Sequence, residues 1–110
     1  MKKVFVCSPY AGDIEGNTKR AIEYCKAEIT AGNVPFAPHL LYPQILDENK
    51  PEDRSLGIRL GIKMMEVCDE LHVYGERITA GMAMEIEHWK SLFSDEKIIN
   101  GIDLKTKSTL

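Results

Sequence analysis

Apolar residues along this chain occur either in short runs or in longer segments with a helical period. Residues 3–7, 34–38 and 70–74 are short, mostly apolar runs of the kind expected for buried parallel strands, and residues 97–99 predict a short fourth strand. The second run contains two prolines, which cannot donate hydrogen bonds to a sheet. That strand is therefore expected at a sheet edge or at the start of a loop.

Segments with helical periodicity separate these runs. The first helix is predicted over residues 18–31, with Asn17 as its N-terminal cap. The second begins at Pro51, followed by acidic residues that suit the first turn of a helix. Gly57 and Gly61 would let a neighbouring element approach this second helix closely. The inward-facing positions are predicted to be Ile22, Cys25 and Ile29 in the first helix and Leu56, Leu60, Met64 and Val67 in the second.

Strands that alternate with helices predict a parallel sheet with right-handed crossovers. We therefore expect an α/β fold, a three-layer Rossmann-like (flavodoxin-like) sandwich around a small parallel sheet. Residues 1–100 should form a single domain, and the polar residues 101–110 a flexible C-terminal tail. Ligands of such sheets bind beyond the carboxyl ends of the strands, which would gather the loops at residues 8–13, 39–42 and 79–85 at one mouth.

Glu85 interrupts the apolar face of the third predicted helix. A carboxylate at a position meant for burial costs free energy unless it is paired or used. If Thr79 caps this helix, Glu85 leans back toward residues 79–81, where free amide groups and the helix dipole favour an anion such as a phosphate. Glu85 is thus either a nucleophile or a rim residue paired with Lys90 or Arg77. The face consists of Met82, Glu85, Ile86, Trp89 and Phe93.

Composition narrows the classes of partner. A formal net charge of −3, with the charges interspersed, argues against sequence-independent binding of nucleic acid. The sequence has neither a secretory signal nor a membrane span, so we expect a cytoplasmic protein with no membrane partner. The three scattered cysteines predict reduced thiols, and the three isolated histidines offer no metal-ligand spacing. We expect no metal and no cofactor.

Four segments, in the same order, resemble the nucleoside 2-deoxyribosyltransferase-like superfamily, and most nearly its small, largely uncharacterised prokaryotic and phage branch. They are VFVCSPYAGD (residues 4–13), PFAPHLLYPQ (35–44), CDELHVYG (68–75) and ITAGMAME (78–85). The likeness extends over residues 1–93. It implies a Rossmann-like sheet, usually in dimers or higher oligomers, that cleaves the N-glycosidic bond of a nucleoside or nucleotide by double displacement at a glutamate.

The resemblance also implies roles for individual residues. Glu85 matches the nucleophile, while Thr79 and Gly81 match positions that receive the 5′ end of the sugar. At the Thr79 position, the transferases that bind a free 5′-hydroxyl typically carry an aspartate and the nucleotide hydrolases a serine. A hydroxyl tolerates a phosphate that a carboxylate would repel, so Thr79 favours a nucleoside 5′-monophosphate. The other residues expected at the substrate are Ser8, Tyr10, Asn17, Arg20, His39 and Met82.

The chain departs from the family pattern at two positions. Phe5 stands where the characterised enzymes have a tyrosine whose hydroxyl orients the glutamate, unless Tyr10 or Tyr74 supplies that hydroxyl from elsewhere. Ala11 stands where the nucleotide hydrolases carry an arginine. A phosphate would then rely on other groups, which we expect at the start of the first helix, where Asn17 and Arg20 lie.

These departures leave more than one function open. The chain is either an enzyme acting on N-glycosidic bonds or a non-catalytic nucleotide or nucleotide-sugar sensor with the same fold. A third possibility is an interaction protein with a subunit interface around Gly57, Gly61, Met64 and Met65. In either of the first two cases the expected partner is a small-molecule nucleoside or nucleotide, and the chain is expected to form a homo-oligomer.

Overall fold

The computed structural model describes residues 1–101, which form a four-stranded parallel sheet with helices on both faces. The strands are β1 (Lys3–Cys7), β2 (Val34–Phe36), β3 (Glu70–Val73) and β4 (Ile98–Asn100), in the order β2-β1-β3-β4. The α-helices are α1 (Ile14–Thr30), α2 (Pro51–Met65) and α3 (Ala80–Leu92). This is the flavodoxin-like arrangement, so the predicted fold class is confirmed. Of the predicted tail, residues 102–110 lie outside the described residues, and the domain boundary stays a prediction.

Strand β1 lies in the middle of the sheet, and its side chains alternate between two cores. Phe5 and Cys7 pack with Met82 and Trp89 of α3 on one face. Val4 and Val6 pack on the opposite face, beneath α1. Both faces of a central parallel strand are covered by helices, which is why the β1 segment is apolar at successive positions. Met65 of α2 also packs in the core with Phe5 and Cys7, so α2 and α3 share one face of the sheet.

Helix α1 begins earlier than predicted, and the face that it buries agrees only in part with the predicted one. Asp13, not Asn17, is its cap, and the Asp13 side chain accepts a hydrogen bond from the Gly16 amide. Of the predicted inward residues, Cys25 packs against the sheet, but Ile22 and Ile29 are 41% and 60% exposed. The face against the sheet carries Asn17, Ala21, Ala27 and Glu28. For Ile22 and Ile29 the prediction failed because polar residues on the buried face have partners inside the protein, which an apolar pattern does not reveal.

Helix α2 also turns a different face inward. The predicted inward residues Leu60, Met64 and Val67 are exposed, whereas Gly61 and Met65 are buried. A Cβ atom built on Gly61 would lie 3.2 Å from the Cβ atom of Pro38. The glycine therefore allows close packing of the segment that follows β2, as predicted for Gly57 and Gly61.

Strand β2 is an edge strand, as its prolines predicted, and it ends at Phe36. Two short 3-10 helices follow, Pro38–Leu40 and Tyr42–Gln44. They fold this apolar connection over the carboxyl end of β1. In the described part of the chain, no helix combines the length and the hydropathy needed to cross a bilayer.

A buried polar cluster joins α1 to the sheet. The His72 ring lies between two carboxylates, with Nδ1 2.6 Å from Glu28 Oε2 and Nε2 2.8 Å from Glu70 Oε1. The Tyr74 hydroxyl donates to Glu28 Oε2 at 2.6 Å. Glu28 is fully buried, and this cluster satisfies a charge that the apolar interior would otherwise expel. The Tyr74 hydroxyl therefore lies in this cluster, on the α1 face of the sheet.

Candidate active site

A cleft of about 650 Å³ opens between α2 and α3 at the carboxyl end of β1. Phe5, Met65 and Met82 line its apolar part. The connection after β2 contributes Pro38, His39, Tyr42 and Pro43. This is the edge of the sheet at which parallel α/β folds bind ligands, and the volume is in the range of small-molecule sites.

Thr79 and the first turns of α3 form one wall of the cleft. Thr79 caps the helix as predicted, because its hydroxyl oxygen accepts a hydrogen bond from the Met82 amide at 3.2 Å. The wall continues through Ala80 and Gly81 to Glu85. Amide groups at the start of a helix lack partners within the helix and carry the positive end of its dipole. The wall therefore combines a carboxylate with a region that favours anions.

Glu85 is half-buried in this wall. Within residues 1–101 it forms no ion pair, so the alternative of a rim residue paired with Lys90 or Arg77 is not what the fold contains. Burial raises the pKa of Glu85 to about 7, and a hydrogen bond from Cys7 opposes part of that rise. At neutral pH the carboxyl group is accordingly poised between its two protonation states.

Cys7, on the same face of β1 as Phe5, lies next to Glu85. The Cys7 thiol is fully buried and donates to the Met82 carbonyl oxygen at 3.8 Å, and it also lowers the pKa of the nearby Glu85 carboxyl. Burial and the nearby Glu85 raise the pKa of the thiol far above its usual range, so it stays protonated and can donate. The residue two positions beyond Phe5, on the same face of β1, therefore contacts Glu85.

His39 forms part of the roof of the cleft. Its Nε2 atom lies 3.2 Å from the Ser8 hydroxyl oxygen, and its ring centre lies 5.4 Å from that of Tyr10. Burial lowers the pKa of His39 to about 4, which keeps the imidazole neutral at pH 7. A neutral imidazole can donate or accept one further hydrogen bond. The contact between His39 and Ser8 links this roof to the loop that follows β1.

The fold brings most of the predicted site residues to this cleft. Those that line it are Ser8, Tyr10, His39, Thr79, Gly81, Met82 and Glu85. The lining does not include Asn17 or Arg20, so their expected contact with a phosphate has to be corrected. The Asn17 amide nitrogen donates to the carbonyl oxygens of Tyr10 and Ala11, at 2.9 and 3.3 Å, and Arg20 donates to the Asn17 side chain at 2.8 Å. They shape the loop after β1, because the earlier helix start turns Asn17 toward the sheet.

The sequence prediction missed two charged residues of the opposite wall. Glu48 and Arg54 line the cleft, Glu48 ahead of α2 and Arg54 in its first turns. Arg77, a predicted alternative partner of Glu85, is exposed and outside the lining. The available signal was topological: a helix that follows an edge strand starts at the carboxyl end of the sheet. Among the described residues, no three His, Cys, Asp or Glu side chains converge as a metal site requires.

Comparisons with known proteins agree with this architecture. A family model described as "Domain of unknown function (DUF7768)" matches residues 2–97. The structure of a 2-deoxyribosyltransferase from the psychrotolerant bacterium Bacillus psychrosaccharolyticus, a biocatalyst for nucleoside synthesis, has a TM-score of 0.64 and 16% sequence identity. The match covers 98% of this chain and 82% of that one, and at this identity it shows a shared fold. No curated protein sequence matches.

Proposed function

The chain belongs to the DUF7768 family, and from the site on this fold we propose that it cleaves or transfers at the N-glycosidic bond of a (deoxy)nucleoside or nucleoside 5′-monophosphate, with Glu85 as the nucleophile. The observation that carries the proposal is the Glu85 carboxyl group in the cleft wall, which forms no ion pair within residues 1–101 and has its pKa raised to about 7 by burial. Perturbed carboxyl groups in clefts are typical of catalytic acids, bases and nucleophiles. The fold shared with a 2-deoxyribosyltransferase supports the same reaction class.

The reaction proceeds in two displacements. A Glu85 oxygen attacks C1′ of the sugar, the C1′–N bond breaks, and its electron pair leaves with the base, which takes a proton from solvent. The sugar is then bound to Glu85 as an ester. Water attacks C1′ in the second step, the C1′–O bond to Glu85 breaks, and the water loses a proton to solvent. If the nitrogen of a second base attacks instead of water, the product is a new nucleoside.

The wall around Glu85 suits a sugar with a 5′-phosphate. Thr79 uses its hydroxyl oxygen to cap α3, so its hydroxyl proton remains for an acceptor on the ligand. An added Cβ atom at Gly81 would meet nothing within 4 Å, so the backbone there is open to the cleft. Backbone amides at a helix start bind phosphate oxygens without a dedicated cation. These features support a phosphorylated substrate although Ala11 replaces the arginine.

The test is release of free base from a panel of nucleosides and nucleoside 5′-monophosphates. We expect Glu85→Gln to lower the rate by a factor on the order of 10⁴, because the amide cannot form the ester intermediate. Glu87→Gln is the matched control, since Glu87 is exposed on the same helix and does not line the cleft. If no substrate gives base above the Glu85→Gln background, the proposal is wrong.

A second candidate is a non-catalytic nucleotide or nucleotide-sugar sensor. The observation that favours it is the pair Phe5 and Cys7, because a thiol is a weaker hydrogen-bond donor than the tyrosine hydroxyl that it replaces beside Glu85. A sensor would be stabilised by a nucleotide, as seen in its melting temperature, without releasing base. We also propose a homo-oligomer, supported by the exposed apolar side chains of Leu60 and Met64 in α2 and of Val67 just after it.

A further inference from the structure

Two side chains of opposite charge face the cleft across from Glu85. Glu48 and Arg54 line the cleft and also an adjoining groove of about 350 Å³, so they stand where the two spaces meet. Burial raises the pKa of Tyr10, Glu48 raises it further, and Arg54 opposes them. The phenol therefore lies close enough to both charges to be affected by each. Tyr10, Glu48 and Arg54 together form one end of the cleft.

Within residues 1–101, neither of the two side chains, Glu48 and Arg54, has a hydrogen-bonding or ion-pair partner, either in the other or in a neighbour. Glu48 is nevertheless half-buried, whereas Arg54 is exposed. Partial burial of an unpaired carboxylate costs free energy, which a ligand with complementary hydrogen-bonding groups would recover. The Glu48 carboxylate offers hydrogen-bond acceptors, and the planar Arg54 guanidinium offers hydrogen-bond donors beside it.

From this arrangement we propose that Glu48 and Arg54 recognise the edge of a guanine base, the leaving group of the reaction proposed above, on which this inference rests. Guanine carries two donors, N1–H and the 2-amino group, beside two acceptors, O6 and N7. A carboxylate accepts from the first pair and a guanidinium donates to the second. The aromatic pair of Tyr10 and His39 lies at the same end and offers a ring face for stacking.

The other common bases fit this pair less well. Adenine has an amino group at the position where Arg54 would donate, so two donors would face each other. Uracil and thymine lack an exocyclic amine for Glu48. Cytosine has one amine and one carbonyl group, but a single ring covers less of the cleft. The volume of about 650 Å³ accommodates a purine nucleotide whose sugar lies beside Glu85.

Equilibrium binding separates recognition from turnover. The experiment uses the Glu85→Gln variant of the full chain and titration calorimetry with the 5′-monophosphates of deoxyguanosine, deoxyinosine, deoxyadenosine and deoxycytidine. We expect the guanine nucleotide to bind at least roughly tenfold more tightly than the adenine and cytosine nucleotides. The inosine nucleotide lacks only the 2-amino group and should lie between them. Deoxyguanosine without the phosphate shows whether the preference belongs to the base.

Variants of the two residues complete the test. Adding Glu48→Gln or Arg54→Gln to the Glu85→Gln chain should reduce the guanine preference by roughly tenfold. The matched controls are Glu52→Gln and Arg59→Gln, because both residues are exposed on α2 and neither lines the cleft. These controls should keep the preference. Melting temperatures of all variants establish that each one folds.

The possible outcomes distinguish this inference from the reaction itself. A preference for adenine, equal binding of all the bases, no binding, or a guanine preference that survives both substitutions would overturn the inference. In the first two cases, base release by the unmodified chain would leave the proposed reaction standing. Selective, Glu48-dependent binding of guanine nucleotide without base release in the unmodified chain would instead support the recognition site and contradict the proposed reaction.

Discussion

At the scale of single residues, the burial of Glu85 has two effects. It makes the ionised carboxylate more reactive, and it makes the same ionised form destabilising in the folded protein. Burial in the cleft wall raises its pKa from the usual 4.5 to about 7, so the ionised form is desolvated and reactive. The same burial makes the ionised form unfavourable in the folded protein. Both consequences can be measured as functions of pH.

The pH dependence of base release should report the ionisation of Glu85. Only the carboxylate can attack C1′, so kcat/KM should rise with pH through a midpoint near 7. Cys7→Ala should move that midpoint to higher pH, because the hydrogen bond from the thiol favours the ionised carboxylate. Cys25→Ala is the control, since Cys25 packs on the opposite face of the sheet. A midpoint near 4.5 would contradict the raised pKa.

The stability of Glu85→Gln relative to the natural sequence should increase between about pH 4.5 and 7 and level off above that range. Because the folded pKa of about 7 lies above the unfolded value of 4.5, the contribution of Glu85 to stability is fully present below pH 4.5 and is lost as the pH rises through 7. A glutamine has no such loss. At about pH 8 we expect a gain on the order of 2 kcal/mol in the free energy of unfolding, measured in urea. A gain of the same size at pH 4 would point to a cause other than ionisation.

At the scale of secondary-structure elements, helix α1 is held to the sheet by polar groups as well as by apolar packing. Glu28 on α1 contacts His72 of β3 and the Tyr74 hydroxyl directly after β3. Removing one member of such a cluster leaves another charge buried without its partner. The stability of this element therefore depends on the cluster as a unit.

The substitution His72→Ala should destabilise the fold by about 3 kcal/mol, because Glu28 and Glu70 would both lose a partner inside the protein. Urea unfolding followed by circular dichroism measures the effect. His88→Ala is the control, because in the described residues the His88 side chain forms no hydrogen bond or ion pair, and a change below about 1 kcal/mol is expected. Equal effects of the two substitutions would contradict the role of the cluster.

Elements that are encoded by a local sequence pattern, such as an apolar run or a capping hydroxyl, were predictable from the sequence. Strand β1 has the predicted bounds, and Thr79 caps α3 as predicted. Apolar periodicity predicted the inward faces of α1 and α2 only in part. On α1 the buried positions include Asn17 and Glu28, and on α2 they include Gly61. Their burial depends on partners distant in sequence, which no local pattern encodes.

The candidate site shows the same division. Glu85 was predictable because a single carboxylate interrupts an apolar stripe, and the strand ends indicated Ser8 and His39. Glu48 and Arg54 were missed because they lie in a charged stretch that reads like an ordinary helix start. Only the folded connection after β2 brings that stretch opposite α3.

At the scale of the whole molecule, the cleft joins two walls of separate origin. The wall with Glu85 comes from α3, after β3. The wall with Glu48 and Arg54 comes from the connection after β2 and from α2. Gly61 and Pro38 pack closely where this connection meets α2, so the second wall forms one packed unit. The sheet, with β1 at its centre, holds the two walls apart.

This separation has an evolutionary consequence. Substitutions in residues 38–54 can alter which compound is accepted without disturbing the acid on the other helix. Related proteins with this fold could thus acquire new substrate specificities by changes in one wall alone. Chimaeras that exchange only residues 38–54 between related sequences should take on the substrate preference of the donor sequence and keep the reaction of the recipient.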